Sequence, residues 1–179
     1  MPERQPAGLL RRLGSMCYDT LLVGALLLLL GFSFHLVIDP NHSDGWQRLT
    51  LQCLWLTATA AYFVLLWSGP TGQTLAMKTW KLRLVSHPDD GRPIDRRQAL
   101  RRWLLSLLWL APGSLLGLIL AVLFDPTPAT SMKLWLMAHA TGGIAYALLS
   151  LFLPEQQYLH DLLGKTRLIA QLPTKPAQR

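Results

Sequence analysis

A carboxylate lies inside the first long apolar segment of the chain. Asp19 is followed by Thr20 and then by the apolar run Leu21–Phe32. An ionised side chain in a membrane costs roughly 2.5–3.5 kcal/mol at the bilayer centre and less near the surface. A partner is therefore expected for Asp19. Arg12 stands seven residues earlier, about two helical turns, so both side chains belong to the same helical face.

The element that carries Asp19 is one of four apolar blocks long enough to cross a membrane. Hydrophobic residues make up 51% of the 179 residues, and the blocks cover about residues 13–38, 46–67, 103–124 and 132–153. A transmembrane helix needs about 20 apolar residues. The first block is too long for the apolar part of a signal peptide, so we expect it to be retained. The sequence predicts an all-α membrane protein with four transmembrane helices.

The polar loop at 68–102 and the chain after the fourth block predict a small additional module. Trp80–Val85 alternates with period two, which is typical of a short strand, and Thr166–Ala170 could pair with it. Asp95 can cap a helix that begins at Arg96 and continues without a break into the third span.

Proline and glycine residues indicate how the last two spans are shaped. Pro112 lies inside the third span, where a kink is expected. Gly113 and Gly117 have the GxxxG spacing that lets a neighbouring helix approach closely. The pair Gly142-Gly143 in the fourth span is also typical of helix packing.

The distribution of basic residues predicts the orientation. Lys and Arg concentrate in the tail at 1–12, in the loop at 68–102 and after the fourth span, whereas the turns at 39–45 and 125–128 have none. The positive-inside rule then places both termini in the cytoplasm, with tails at 1–12 and 171–179 around a membrane domain at 13–170. The net charge of +7 thus reflects topology, and we expect no nucleic-acid partner.

The order of several short motifs resembles that of the RDD family, mostly bacterial membrane proteins named for one arginine and two aspartates. The motifs are Arg12 with Asp19 in the first span, Gly72-Gln73-Thr74 after the second, and His160-Asp161 with Gly164 and Thr166 after the last. The resemblance covers residue 12 to about residue 169. It implies a multi-pass protein of the bacterial cytoplasmic (inner) membrane, for which transport of an unidentified ligand or ion exchange has been suggested.

The resemblance also assigns residues. Arg12 matches the family arginine, Asp19 the first aspartate and Asp161 the second. The stretch Gly72–Lys78 resembles the family segment GQT-x-G-x-[KR], with Ala76 standing where a glycine is common.

We expect Arg12, Asp19 and Asp161 to form one polar cluster on the cytoplasmic side, with Lys78 or His160 beside it. One arginine facing two carboxylates leaves a net negative charge, which a proton, a cation or another basic side chain would balance. If Lys78 supplies the missing charge, the cluster is closed and its role is structural. A simple ion pair between Arg12 and Asp19 is the other possibility.

The remaining polar residues give weaker indications. Gln73 and Thr74 are secondary candidates for the cluster, and His139 in the fourth span favours a neutral hydrogen-bonding role over a proton relay. The sequence has no HExxH, CxxC or GxSxG motif, so we expect no metal, no cofactor and no enzymatic activity. Cys17 and Cys53 fall near opposite membrane faces, which predicts free thiols.

Two functions remain open. The first is transport of a small solute or ion, and because four short helices are a thin basis for a path, it predicts a homo-oligomer. The second is a non-catalytic scaffold or accessory subunit that binds a membrane partner protein, with the cluster serving only to fix helix packing. In both cases the lipid bilayer surrounds the protein.

Overall fold

The structure, a computed structural model, describes residues 7–38, 45–87, 92–124 and 127–170. These residues form seven α-helices and two β-strands, with turns between them. The helices are α1 (Leu9–Val37), α2 (Gly45–Trp67), α3 (Leu75–Thr79), α4 (Arg96–Ser106), α5 (Ala111–Phe124), α6 (Pro128–Leu149) and α7 (Leu159–Gly164). The strands are β1 (Leu82–Ser86) and β2 (Thr166–Ala170). Most of the predicted outer turns (39–44 and 125–126) and the chain at 1–6, 88–91 and 171–179 lie outside the described residues.

Three stretches of the described chain are long and apolar enough to cross a membrane. They are Leu9–Val37, Gly45–Trp67 and Arg96–Phe124, and they coincide with the first three predicted blocks. Large aliphatic side chains such as those of Leu28 and Val122 are exposed on their surfaces, as expected for helices that face lipid. The fourth predicted block forms α6, a helix of 22 residues that does not belong to this set of three.

Helix α4 continues without a break from Arg96 into the predicted third span, as expected, and the span is interrupted after Ser106. The side chain of Asp95 accepts a hydrogen bond from the backbone N of Gln98 at 2.6 Å, which confirms it as the cap of α4. A 3-10 turn at Leu107–Trp109 then separates α4 from α5. Pro112 is the second residue of α5, where its missing N–H is tolerated, whereas a continuous helix would place its ring against an earlier carbonyl group. The irregularity expected at Pro112 is therefore a 3-10 turn just before α5.

Helices α5 and α6 pack with their backbones in contact. A Cβ atom added to Gly142 would lie 2.6 Å from the Cα of Gly113, and one added to Gly117 would lie 2.6 Å from the ring of Trp135. Only glycine permits such approaches, because any side chain would overlap the neighbouring helix. The close packing predicted from the GxxxG spacing is confirmed.

The predicted strand pair is also confirmed. β1 and β2 are antiparallel, with Leu82 opposite Ala170 and Ser86 opposite Thr166. The buried faces of the strands pack on the end of α2 and on α4 in one apolar core, whose members include Trp67, Trp103 and Leu168. We call α3, β1, α7 and β2 the sheet module. It lies at the end of the bundle where α1 begins and α2 ends.

Candidate functional site

Asp19 is held by two neutral hydroxyl groups. It lies on α1 with 6% of its surface exposed. Tyr62 of α2 donates to its Oδ1 at 3.0 Å, and Thr74 donates to its Oδ2 at 2.8 Å. Both carboxylate oxygens therefore have a hydrogen-bond partner, and Asp19 joins α1 to α2 and to the start of α3.

The turn that delivers Thr74 to α1 depends on a glycine. Gly72 has a φ of 62°, and a Cβ atom there would lie 2.8 Å from the carbonyl oxygen of Leu84. A side chain is disfavoured at such a position by both the backbone angle and the contact. Thr74 also caps α3, because its hydroxyl accepts from the backbone N of Met77 at 3.1 Å. One side chain thus begins the short helix and holds Asp19.

Asp161 is paired with Arg102, not with Arg12. The Nε and Nη2 atoms of Arg102 both lie 2.7 Å from Oδ1 of Asp161. The exposed fractions are 5% for Arg102 and 1% for Asp161, so this ion pair is buried. The guanidinium group also lies 4.1 Å from the ring centroid of Trp67, a cation–π contact. The pair joins α4 to α7.

Sequence reasoning missed Arg102 because it is one of many basic residues in the loop at 68–102. A usable indication was present: Ala99 and Trp103 stand three residues before and one after it. Positions i, i+3 and i+4 share a helical face, so a buried face containing Ala99 and Trp103 also contains Arg102. All three residues are buried.

His160 is neutral in this environment. Burial lowers the pKa of its imidazole to about 4, and the neighbouring charge of Asp161 opposes that effect only partly. The hydroxyl oxygen of Tyr146 lies 3.1 Å from the backbone N of His160, which donates to it, and 3.1 Å from Nδ1. The imidazole ring is also stacked on Tyr158, with centroids 5.4 Å apart.

Arg12 points away from Asp19. Its guanidinium carbon lies 5.0 Å from the centroid of the Tyr158 ring, and its Nη1 donates to the carbonyl oxygen of Gln156. Side chains on an α-helix lean toward the N-terminus, so Arg12 reaches toward the sheet module while Asp19, two turns later, meets Tyr62. This is why a shared helical face does not produce an ion pair between Arg12 and Asp19.

Arg12 is nevertheless buried, with 3% of its surface exposed. Among the residues that the structure describes, its Nε and Nη2 atoms have no hydrogen-bond partner. Asp161 attracts its charge through space without a direct ion pair. Arg12 is therefore a buried cation with unused donors.

The charge balance of the site differs from the expected one. Arg102 adds a second guanidinium group, so the site contains two arginines and the two carboxylates of Asp19 and Asp161. The formal charge of the four groups is zero, and the negative charge expected from one arginine and two aspartates is balanced by Arg102. Lys78 does not supply this charge, since its side chain is exposed.

A cavity of about 780 Å³ lies between α1, α2 and α4. This volume is within the range of about 300–1,000 Å³ that is usual for small-molecule sites. Arg12, Asp19, Arg102 and His160 contribute to one end of its wall, and Val23, Leu27, Trp55 and Leu56 contribute to the apolar remainder. The sequence-predicted residues Arg12, Asp19 and His160 thus share one cavity, with Asp161 behind Arg102.

Comparison with known proteins decides the family. A family model described as the RDD family matches residues 6–165, which is most of the chain. The chain belongs to the RDD family. RDD proteins are membrane proteins, in agreement with the long apolar helices of this one. No curated protein and no solved structure matches the chain.

Other predicted site residues of this RDD protein lie away from the cavity. Gln73 is buried and donates from its side chain to the carbonyl oxygen of Leu82, so it supports the sheet module. His139 lies between α5 and α6, where Nδ1 is 2.8 Å from the carbonyl oxygen of Trp135 and Nε2 is 3.3 Å from the hydroxyl of Ser114. The Trp135 contact lies within α6, and the Ser114 contact joins α6 to α5.

Proposed function

We propose that this RDD protein binds a small solute or ion in the cavity between α1, α2 and α4 and moves it across the membrane. The observation that carries the proposal is a cavity of about 780 Å³ whose wall includes Arg12, Asp19, Arg102 and His160. A largely apolar cavity of this size with a few polar side chains at one end is the usual form of a small-molecule site. Asp19 lines the same cavity from the next turns of α1.

The proposal includes a topology of four spans, with α6 as the fourth and both termini in the bacterial cytoplasm. It is supported by the length of α6 and by the basic residues around the sheet module. Cysteine labelling tests it. After Cys17 and Cys53 are changed to Ser, a membrane-impermeant maleimide should label Asn41→Cys in intact cells. It should label Lys175→Cys only after the membrane is opened, and the reverse pattern would contradict the topology.

Flux measurements test the transport step. Proteoliposomes of the wild type and of Asp19→Asn are compared for uptake of radiolabelled sodium, potassium and phosphate. We expect protein-dependent flux of at least one of these in the wild type and a clear loss in Asp19→Asn. Asp95→Asn is the control, since that carboxylate is exposed and caps α4 away from the cavity. Equal flux in folded Asp19→Asn and wild type would remove Asp19 from the mechanism.

The alternative function, a membrane scaffold or accessory subunit, is favoured by a different observation. The Arg102–Asp161 pair and the hydroxyl partners of Asp19 connect α1, α2, α3, α4 and α7, which is what a purely structural cluster would do. On this alternative, Asp19→Asn lowers thermal stability and abundance, no flux is seen, and an unrelated protein co-purifies in mild detergent. Light scattering of the purified protein shows whether a homo-oligomer forms, as transport through so few helices requires.

A further inference from the structure

The chain contains two similar stretches that lie 84 residues apart. Residues 62–86 and 146–170 align without a gap and have the same amino acid at eight of the 25 positions. Each stretch contains the end of a long helix, a short helix and a strand, which are α2, α3 and β1 in the first and α6, α7 and β2 in the second. The sequence and the order of the elements thus indicate an internal repeat. The identical pairs include Tyr62/Tyr146, Pro70/Pro154, Gln73/Gln157, Lys81/Lys165 and Arg83/Arg167.

The backbone supports the repeat independently of the sequence. Among the described residues, a positive φ occurs at Gly72, Lys81, Gln156 and Lys165, with values of 62°, 53°, 54° and 52°. These positions form two pairs with the same spacing of 84 residues, and each lysine directly precedes a strand. A positive φ is uncommon outside glycine, so its recurrence at equivalent positions means that the two stretches have the same local fold.

The strand pairing relates the two repeats by a two-fold axis. Leu84 of β1 lies opposite Leu168 of β2, which is its equivalent in the second repeat. Because the strands are antiparallel, the residue pairs on either side of this one exchange equivalent positions between the strands. A local two-fold axis therefore passes through the Leu84–Leu168 pair.

Each repeat begins with a long helical stretch of the same length. Leu9–Val37 and Arg96–Phe124 both comprise 29 residues and start 87 positions apart. The cavity is lined by equivalent positions of the two stretches, so it lies between the two repeats. In transporters built from repeats, the substrate site is found at this interface. The equivalent lining pairs are Ser15/Arg102, Met16/Trp103, Asp19/Ser106, Thr20/Leu107 and Val23/Leu110.

The second repeat departs from the first where its long helix is broken. Helix α1 continues to Val37 without interruption, whereas the equivalent stretch changes to a 3-10 turn at Leu107–Trp109 and resumes as α5. At the position of Pro112 the first repeat has Ala25, at the same spacing of 87 residues. Proline inside a helix removes a hydrogen bond and clashes with the preceding turn. The break thus follows from a residue that only the second repeat has.

Helices α5 and α6 form one unit beyond this break. The glycines at their interface bring the two backbones together, and outside this interface both helices pack mainly on the turn at Leu107–Trp109. At the other end of the hairpin sequence, where α6 approaches the sheet module, Tyr146 forms a hydrogen bond with His160. Among the described residues, none between Leu110 and Tyr158 lines the cavity. The α5–α6 hairpin therefore stands beside the cavity, and its main attachments are the start of α5 and the end of α6.

We propose that the α5–α6 hairpin rotates as one body about the turn at Leu107–Trp109 and thereby opens and closes the cavity between the two repeats. Movement of one repeat against the other around a site at their interface is how many transporters built from repeats alternate access. The proposal names the moving part of the transport path and in that respect rests on the proposed function. The movement itself can be measured without a solute.

Distances between spin labels test the movement in the full-length protein in lipid nanodiscs. After Cys17 and Cys53 are changed to Ser, one protein carries labels at Leu36→Cys on α1 and Val122→Cys on α5. A second protein carries them at Val122→Cys and at Leu136→Cys on α6, and all three positions are exposed. With double electron–electron resonance, we expect two distance populations for the α1–α5 pair and a single population for the α5–α6 pair.

Replacement of Pro112 by alanine tests the turn as the hinge. Pro112→Ala introduces the residue that the unbroken repeat has at this position, so the third span should become a more continuous helix. The two populations of the α1–α5 pair should then become one. Pro93→Ala is the matched control, because Pro93 is exposed and lies before α4, and this variant should keep both populations.

The results that overturn the proposal differ from a failure of transport. A single population for the α1–α5 pair in the wild type would overturn it, and so would two populations for the α5–α6 pair, since the hairpin would not be one body. Two populations in both Pro112→Ala and Pro93→Ala would remove the turn as the hinge. Two populations without flux of sodium, potassium or phosphate in proteoliposomes would keep the movement and remove the transport function. Flux with a single population would keep transport and overturn the movement.

Discussion

Replacement of Arg102 by methionine tests whether the buried ion pair holds the sheet module on the bundle. Asp161 has 1% of its surface exposed, and its Oδ1 takes two contacts of 2.7 Å from the Arg102 guanidinium group. Methionine keeps an unbranched apolar stem against Trp67, so the loss falls mainly on the charge. Removal of one partner of a buried pair leaves an uncompensated charge and costs about 3–5 kcal/mol.

That energy corresponds to a large change in melting temperature. For a chain of 150–250 residues, 1 kcal/mol shifts the Tm by about 2–4 °C, so Arg102→Met should lower it by roughly 6–20 °C. The assay is thermal unfolding of the purified protein in detergent, followed by tryptophan fluorescence. Arg101→Met is the control, since Arg101 is the exposed neighbour on the same helix and should shift the Tm very little.

A second substitution sharpens the test. If the cost arises from the charge left behind, Asp161→Asn added to Arg102→Met should recover part of the stability, because an amide is less costly to bury than a carboxylate. Equal Tm values for Arg101→Met and Arg102→Met would refute the reasoning. The reasoning would also be refuted if Asp161→Asn lowered the stability of Arg102→Met by as much as it lowers the stability of the wild type.

Two further changes have outcomes that follow from the structure. Gly142→Ala should strongly reduce the amount of folded protein in the membrane, because the new Cβ atom would lie 2.6 Å from the Cα of Gly113. Gly24→Ala is the control, because a Cβ atom there meets open space, and it should leave the amount of folded protein unchanged or raise it. Burial lowers the pKa of His160 from 6.5 to about 4. Between these pH values the unfolded chain binds a proton at this histidine that the folded chain does not, so the stability should fall as the pH decreases from about 6.5 to 4. His160→Phe should show a smaller decrease of the Tm over that pH range, and an identical pH profile for both proteins would contradict the assigned shift.

Features that depend on local sequence could be predicted well. The apolar blocks indicate the long helices, the alternation around Leu82 indicates a strand, and Asp95 indicates the start of α4, because each follows from periodicity or capping within a few residues. The cost of placing Asp19 in an apolar helix correctly predicts that it needs partners within the protein. Pro112 marks the irregular part of the third span.

The identity of the partners could not be predicted, because it depends on which helices meet. Asp161 follows the last long helix and Arg102 precedes the third span, and only the packing of α4 against α7 brings them together. The direction in which helical side chains lean also separates Arg12 from Asp19, although their spacing places them on one face. Spacing alone predicts a shared face, whereas an ion pair also requires that the two side chains reach toward each other.

The four charged groups of the site differ in how completely they are satisfied, and this difference bears on function. Arg102, Asp161 and Asp19 have direct ionic or hydroxyl partners, which is all that helix packing requires. Arg12 has a similar degree of burial but keeps two nitrogens without partners in the described chain. A cluster that only fixed helices would be more stable with these donors paired or replaced by apolar groups. Arg12 is therefore the member of the site whose replacement best separates a role in function from a role in helix packing.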